Sequence, residues 1–141
     1  MKLALTILVV AVALLAAGAA AAAPASPSHA QSFCSVSRGV AKQIVDSTRV
    51  LASEPAKVKV TYEQIAAAEP ALKSSAPRSV KVHLLPALSF VNLVIADFKS
   101  ANWNVSGMTK YVPTLTARGE AVAPHLQALD TYFKTTCRLN V

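Results

Sequence analysis

Two cysteines constrain the fold of this chain more than any other feature of its sequence. Cys34 and Cys137 are the only cysteines among 141 residues, so one intramolecular pairing is available. They do not form the C-x-x-C motif that is typical of redox-active pairs. If they lie near the start and end of two antiparallel helices, their Cα atoms can reach the roughly 4.4–6.8 Å separation of a disulfide. We therefore predict a structural Cys34–Cys137 bond, and an intermolecular bond is the alternative.

The first 30 residues have the pattern of a secretory signal peptide. Lys2 precedes an uncharged run, "LALTILVVAVALLAAGAAAAA", that is rich in apolar and small residues. Cleavage is predicted after Ala30, with Ala25 as the alternative; an uncleaved anchor is a further alternative. The residues "QSF" before Cys34 lack the small residue expected before a lipidated cysteine. We expect a secreted, extracellular, monomeric protein with one helical domain, 31–141, and no transmembrane segment after processing.

Helical periodicity begins with the segment that carries Cys34. A stripe of apolar or small residues recurs every three or four positions: Phe33, Val36, Val40, Ile44, Ser47 and Leu51. This helix should end near Ser53, because Pro55 disfavours helical backbone at the preceding residue. The next segment contains "KVKV", a short strand-like alternation without a partner, and a short helix is predicted from Tyr62 to about Ala68. Pro70 and Pro77 are expected to break this region into short pieces.

The most apolar segment after the predicted signal peptide follows Pro77. Its helical stripe extends over five turns: Val80, Leu84, Ala87, Leu88, Val91, Val94, Ile95 and Phe98. Pro86 lies within this stripe and predicts either a kink or a division into two helices. A helical turn is expected before Pro113, and a final helix is expected with Pro124 in its first turn. The stripe of that helix is Val122, Leu126, Leu129, Phe133 and Cys137.

These patterns predict an all-α fold, a small bundle of about four main helices. The first and last helices should be antiparallel and joined by the disulfide. No segment has the strand alternation and hairpin turns of a β fold.

Charge and motif content restrict the function classes. The net charge is +7, or +6 without Lys2, and the basic residues are scattered along the chain. An anionic surface is a candidate partner, whereas no specific nucleic-acid partner is expected. There is no phosphate-binding loop, zinc-ligand pattern or nucleophile elbow. No catalytic residue, metal site or cofactor is therefore assigned.

Six residues could contribute to the binding of a flat or apolar ligand. They are Tyr62, His83, Trp103, Met108, Tyr111 and His125. Core packing is the competing interpretation for the tyrosines, the methionine and Trp103, and a structural or surface position is the competing interpretation for the histidines. His83 and His125 together could also provide acid–base catalysis on a phosphodiester, although nothing in their spacing brings them together.

Three segments carry a resemblance to a known group. They are "TYEQIAAAEPAL" followed by an Ala-Pro break, "LSFVNLVIADFKSANWNV" and the closing "ALDTYFKTTC". In these packing patterns the chain resembles small exported all-helical proteins of high-GC actinobacteria, most of which have no assigned activity. The resemblance implies a helical fold and export. Three hypotheses follow: a secreted non-enzymatic protein that binds an extracellular or cell-envelope partner, a carrier of haem or another apolar molecule, and a basic extracellular hydrolase such as a ribonuclease.

Overall fold

The computed structural model describes residues 27–48 and 54–139, with side chains for 30–42 and 54–139. These ranges contain four α-helices and no strand: α1 (Pro27–Thr48), α2 (Pro55–Ser75), α3 (Arg78–Ser100) and α4 (Val112–Thr135). A 3-10 helix, Val105–Tyr111, lies between α3 and α4. The all-α prediction is confirmed. The predicted signal peptide lies almost entirely outside the described residues; Ala30 is in the first turn of α1.

The predicted disulfide is present. Cys34 in α1 is bonded to Cys137, just beyond the end of α4, and their Cα atoms are 5.1 Å apart. Consecutive helices make the most extensive contacts, so that α1 packs mainly on α2, and α3 mainly on α4. The bundle therefore consists of two helical hairpins, with the disulfide connecting the first helix of one to the last helix of the other.

Aromatic packing surrounds the disulfide. The Phe33 ring is fully buried and lies 5.9 Å from the Tyr132 ring and 5.7 Å from the Phe133 ring, measured between centroids. Arg38 also donates to the Cys137 carbonyl at 3.5 Å. After α4 the chain turns through Arg138, which has a positive φ of 52°. Backbone hydrogen bonds from Cys137 N–H to the Tyr132 carbonyl and from Leu139 N–H to the Phe133 carbonyl close the end of α4 on either side of this residue.

The buried core follows the predicted stripes closely. Val80, Leu84 and Phe98 of α3 are buried, as are Leu126 and Leu129 of α4. The side chains of Ile44, Ser47 and Leu51, which belong to the first predicted stripe, lie outside the described residues.

Helix α2 corrects two predictions. It begins at Pro55 and continues to Ser75. The segment "KVKV" therefore forms the first turns of the helix rather than a strand, and Pro70 lies inside the helix without ending it. Val58 is buried whereas Val60 is 52% exposed, which is the helical phase rather than the alternation of a strand. Pro70 is exposed, and the lack of its N–H removes the helical partner of the Ala66 carbonyl without ending the helix.

Prolines lie inside the other long helices as well. Helix α3 is continuous through Pro86, which excludes its division into two helices at this point. Helix α4 begins at Val112 rather than near Pro124, and Pro113 occupies its first turn. The predicted helical turn before Pro113 is present as the 3-10 helix.

The end of the bundle remote from the disulfide is closed by Trp103. Asn102 and Trp103 have positive φ values of 51° and 60°, which turn the chain sharply after α3. The Trp103 ring is consequently stacked on Phe98, with centroids 6.2 Å apart, and lies 6.5 Å from Tyr62. Trp103 is therefore a partly buried residue that packs against the core.

Helix α3 is long and apolar enough to cross a membrane, with a hydropathy of 1.6 over its most apolar window. The central helix of a folded bundle satisfies the same criterion, so this property alone does not distinguish the two.

Candidate functional site

The candidate site lies along the contact between α3 and α4. Gly119 of α4 faces Phe90 of α3, and a Cβ at this glycine would lie 3.6 Å from the Phe90 ring, at ordinary van der Waals distance. Phe90 is 7% exposed and belongs to the core, although the predicted stripe omitted it. This close packing fixes the side chains that border the two helices.

His83 and His125 meet across this contact. Their Nδ1 atoms are 3.2 Å apart and their ring centroids 5.4 Å apart. When one Nδ1 carries a proton, it donates a hydrogen bond to the other. Both side chains are half-buried, each one position before a buried leucine, Leu84 or Leu126. Their spacing of 42 positions in sequence did not predict this contact.

Two grooves flank the histidine pair. The larger, of about 450 Å³, is lined by Pro86, Ser89, Phe90, Leu93, Thr114, Arg118, Ala121, Val122 and His125. The smaller, of about 220 Å³, is lined by Ser79, Val80, His83, Ala128, Leu129, Thr131, Tyr132 and Thr135. Because His125 lines the first and His83 the second, the touching rings separate the two grooves.

The larger groove has an apolar floor and a polar rim. Phe90 and Val122 are buried, whereas Ser89, Thr114 and Arg118 are exposed. Arg118 brings a permanent positive charge and several donors to the groove. Sequence reasoning missed Arg118, because periodicity alone does not indicate which exposed residues border a groove.

The other predicted ligand residues lie elsewhere. Tyr62 is 4% exposed and its hydroxyl has no hydrogen-bond partner, so burial raises the pKa of this phenol strongly. Met108 is buried in the 3-10 helix, and Tyr111 packs against the core with the Lys110 Nζ 4.8 Å from its ring centre. Neither groove is lined by any of these three residues or by Trp103.

Three carboxylates near the helix contacts have shifted pKa values. Burial raises the pKa of Asp130, whose Oδ1 lies 3.9 Å from the Lys134 Nζ without a hydrogen-bond partner. Burial also raises the pKa of Asp97, partly offset by the charge of Lys110. The pKa of Glu69 is lowered, first by its hydrogen bond with Lys73 and also by the one from Asn92 of α3.

Within the part of the chain that the structure describes, no three His, Cys, Asp or Glu side chains are grouped as metal ligands. The two imidazoles are thus without a third such group beside them. No protein-family model matches the sequence, and no curated protein or solved structure shows significant similarity to it.

Proposed function

We propose that this is a secreted, non-enzymatic binding protein whose groove between α3 and α4 holds a small amphipathic anion. The observation that carries the proposal is the larger groove, which combines an apolar floor with Arg118 at its rim. Its volume of about 450 Å³ falls within the roughly 300–1,000 Å³ typical of small-molecule sites.

The chemistry of the lining supports an apolar body for the ligand. Phe90, Leu93, Val122 and Pro86 offer hydrocarbon surface. Beside the groove, α3 carries exposed Val82 and Leu85, at 60% and 49% exposure, on the same helical face as Ser89. Solvent-exposed apolar side chains next to a groove extend the surface on which a hydrocarbon tail is removed from water.

The charge of the site supports an acidic head. The Arg118 guanidinium can bind a carboxylate or sulfate through two parallel hydrogen bonds. The net charge, +6 without Lys2 of the predicted signal peptide, favours the approach of anions.

Secretion is supported by the disulfide, because such bonds persist in oxidising compartments. The predicted signal peptide also supports secretion.

The other two hypotheses have less support. For haem, the candidate ligands are divided between the histidine pair and the remote Tyr62, so they do not converge on one pocket. For a ribonuclease, His83 and His125 would have to flank a phosphodiester. Their 3.2 Å separation leaves no space for one between them, and they line different grooves.

Calorimetric titration with dodecanoate and dodecanol tests the proposal, because the two probes share a tail and differ in charge. A hydrogen bond to a charged group contributes about 1.5–3 kcal/mol, so wild-type protein should bind dodecanoate about 10–100-fold more tightly. Arg118→Gln should remove most of this difference. Arg78→Ala, at an exposed arginine outside the groove, should leave it unchanged.

A second pair of variants tests the location. Ala121→Trp places a large side chain in the groove from an exposed position and should weaken both probes. Ala67→Trp makes the same change on an exposed position of α2 and should affect neither. The proposal fails if neither probe binds, or if binding survives Ala121→Trp unchanged. Native mass spectrometry of the exported protein would identify the natural ligand.

A further inference from the structure

We propose that His83 and His125 form a binding site for a divalent transition-metal ion of the zinc class, with the two Nδ1 atoms as its ligands. This inference does not depend on the groove ligand. It begins from the 3.2 Å separation of the two Nδ1 atoms, which brings the most common metal-binding side chain together from two helices.

The separation fits the geometry of zinc. In a tetrahedral site, two Zn–N bonds of about 2.0–2.1 Å place the nitrogens about 3.3–3.4 Å apart. The observed 3.2 Å is close to this distance, so a metal ion requires only small rotations of the rings. A linear arrangement would require about 4.0–4.2 Å with the same bond lengths, which fits the observed distance less well.

The helices hold the two ligands in place. His83 precedes Leu84, which is 4% exposed, and His125 precedes Leu126, which is 2% exposed, so the backbone beside each ring is anchored in the core. Without a metal, the pair is held by one Nδ1–H···Nδ1 hydrogen bond. Metal binding replaces this hydrogen bond. Each imidazole then binds the ion through an unprotonated Nδ1 and keeps its proton on Nε2.

The site would be open rather than closed. Among the described residues no third His, Cys, Asp or Glu is grouped with the pair. Two tetrahedral positions would therefore be taken by water or by a donor from solution. This arrangement is unlike a structural zinc site, which is closed by four protein ligands. We accordingly expect labile binding to a protein that is already folded without the ion.

Titration of the metal-free, disulfide-bonded protein with Zn²⁺ by calorimetry tests this inference. We expect one Zn²⁺ per chain. Loss of an outer-shell partner alone lowers metal affinity about 10–100-fold, so His83→Asn and His125→Asn should each lower it by at least tenfold. Ala67→Trp, at an exposed position of α2, is the control and should have no effect.

Nitrogen NMR of the imidazole rings in the wild-type protein provides a readout that does not depend on how the variants fold. Saturating Zn²⁺ should shift the Nδ1 resonances of both His83 and His125 and leave their Nε2 atoms protonated. The inference is overturned if Zn²⁺ produces no heat and no shift, or if both asparagine variants bind it with wild-type affinity. Retained Zn²⁺ affinity together with loss of the preference for dodecanoate in Arg118→Gln would support the metal site independently of the groove.

Discussion

Removal of the disulfide should reduce the stability of the fold by a large and calculable amount. Cys34 and Cys137 are 103 positions apart, and opening a loop of this length releases chain entropy equivalent to about 4.7 kcal/mol at 25 °C. Domains are typically stable by about 5–15 kcal/mol. The double variant Cys34→Ala/Cys137→Ala should therefore be close to the limit of stability.

The structure also predicts which helix loses the most stability. Helix α1 packs mainly on α2, and its connection to α4 is concentrated at the disulfide and the Phe33 ring. In the double variant the described links that remain are the packing of Phe33 on Tyr132 and Phe133 and the Arg38 hydrogen bond to the carbonyl of residue 137. Each aromatic pair contributes only about 0.5–1.5 kcal/mol beyond its buried area. Amide hydrogens of α1 should consequently exchange much faster, whereas those of α3 should be less affected.

Urea unfolding followed by circular dichroism measures the loss. With a slope of about 1–3 kcal/mol per molar urea, the midpoint should fall by about 1.6–4.7 M. Ser37→Ala is a matched control, because Ser37 is 4% exposed in the same helix and its hydroxyl has no hydrogen-bond partner, so its removal should change little. A loss below about 1 kcal/mol in the double variant would refute the reasoning, since α1 would then be held by packing rather than by the bond.

Two further predictions concern stability and its dependence on pH. Gly39→Ala should stabilise the protein by about 0.5–1 kcal/mol in urea unfolding, because Gly39 lies inside α1 and an added Cβ meets no atom within 4 Å; a destabilised variant would contradict this. Burial raises the pKa of Asp130 above its ordinary 3.8, so its contribution to stability is present below about pH 3.8 and lost as pH rises through the folded value. Hydrogen bonds lower the pKa of Glu69 below its ordinary 4.5, so its contribution is present above about pH 4.5 and lost as pH falls through the folded value. Relative to wild type, Asp130→Asn should thus be more stable at about pH 7 than at about pH 3, and Glu69→Gln should show the reverse; equal differences at both pH values would be inconsistent with these shifts.

The sequence predicted the helices better than their ends. Apolar stripes such as Val80, Leu84 and Phe98 depend only on helical phase, which is a local property, and they are buried as expected. The prolines did not predict the helix ends as well. Pro70 was expected to break α2 but lies inside the helix on its exposed side.

The histidine pair shows what periodicity cannot provide. Each histidine could be placed beside an apolar stripe from the sequence. Their contact depends on the register of α3 along α4, which results from the packing of the two helices over their whole contact. Arg118 was missed for the same reason, because its role depends on a groove that exists only when both helices are docked.

The bond between Cys34 and Cys137 also changes what a single proteolytic cut can do. Any one peptide bond hydrolysed between these two residues leaves two fragments that still form one molecule. The cut pieces cannot diffuse apart, so each remains at high effective concentration for the other and can dock again. A protease would have to cut twice within this ring, or be joined by a reductant, before any part of the bundle could be released.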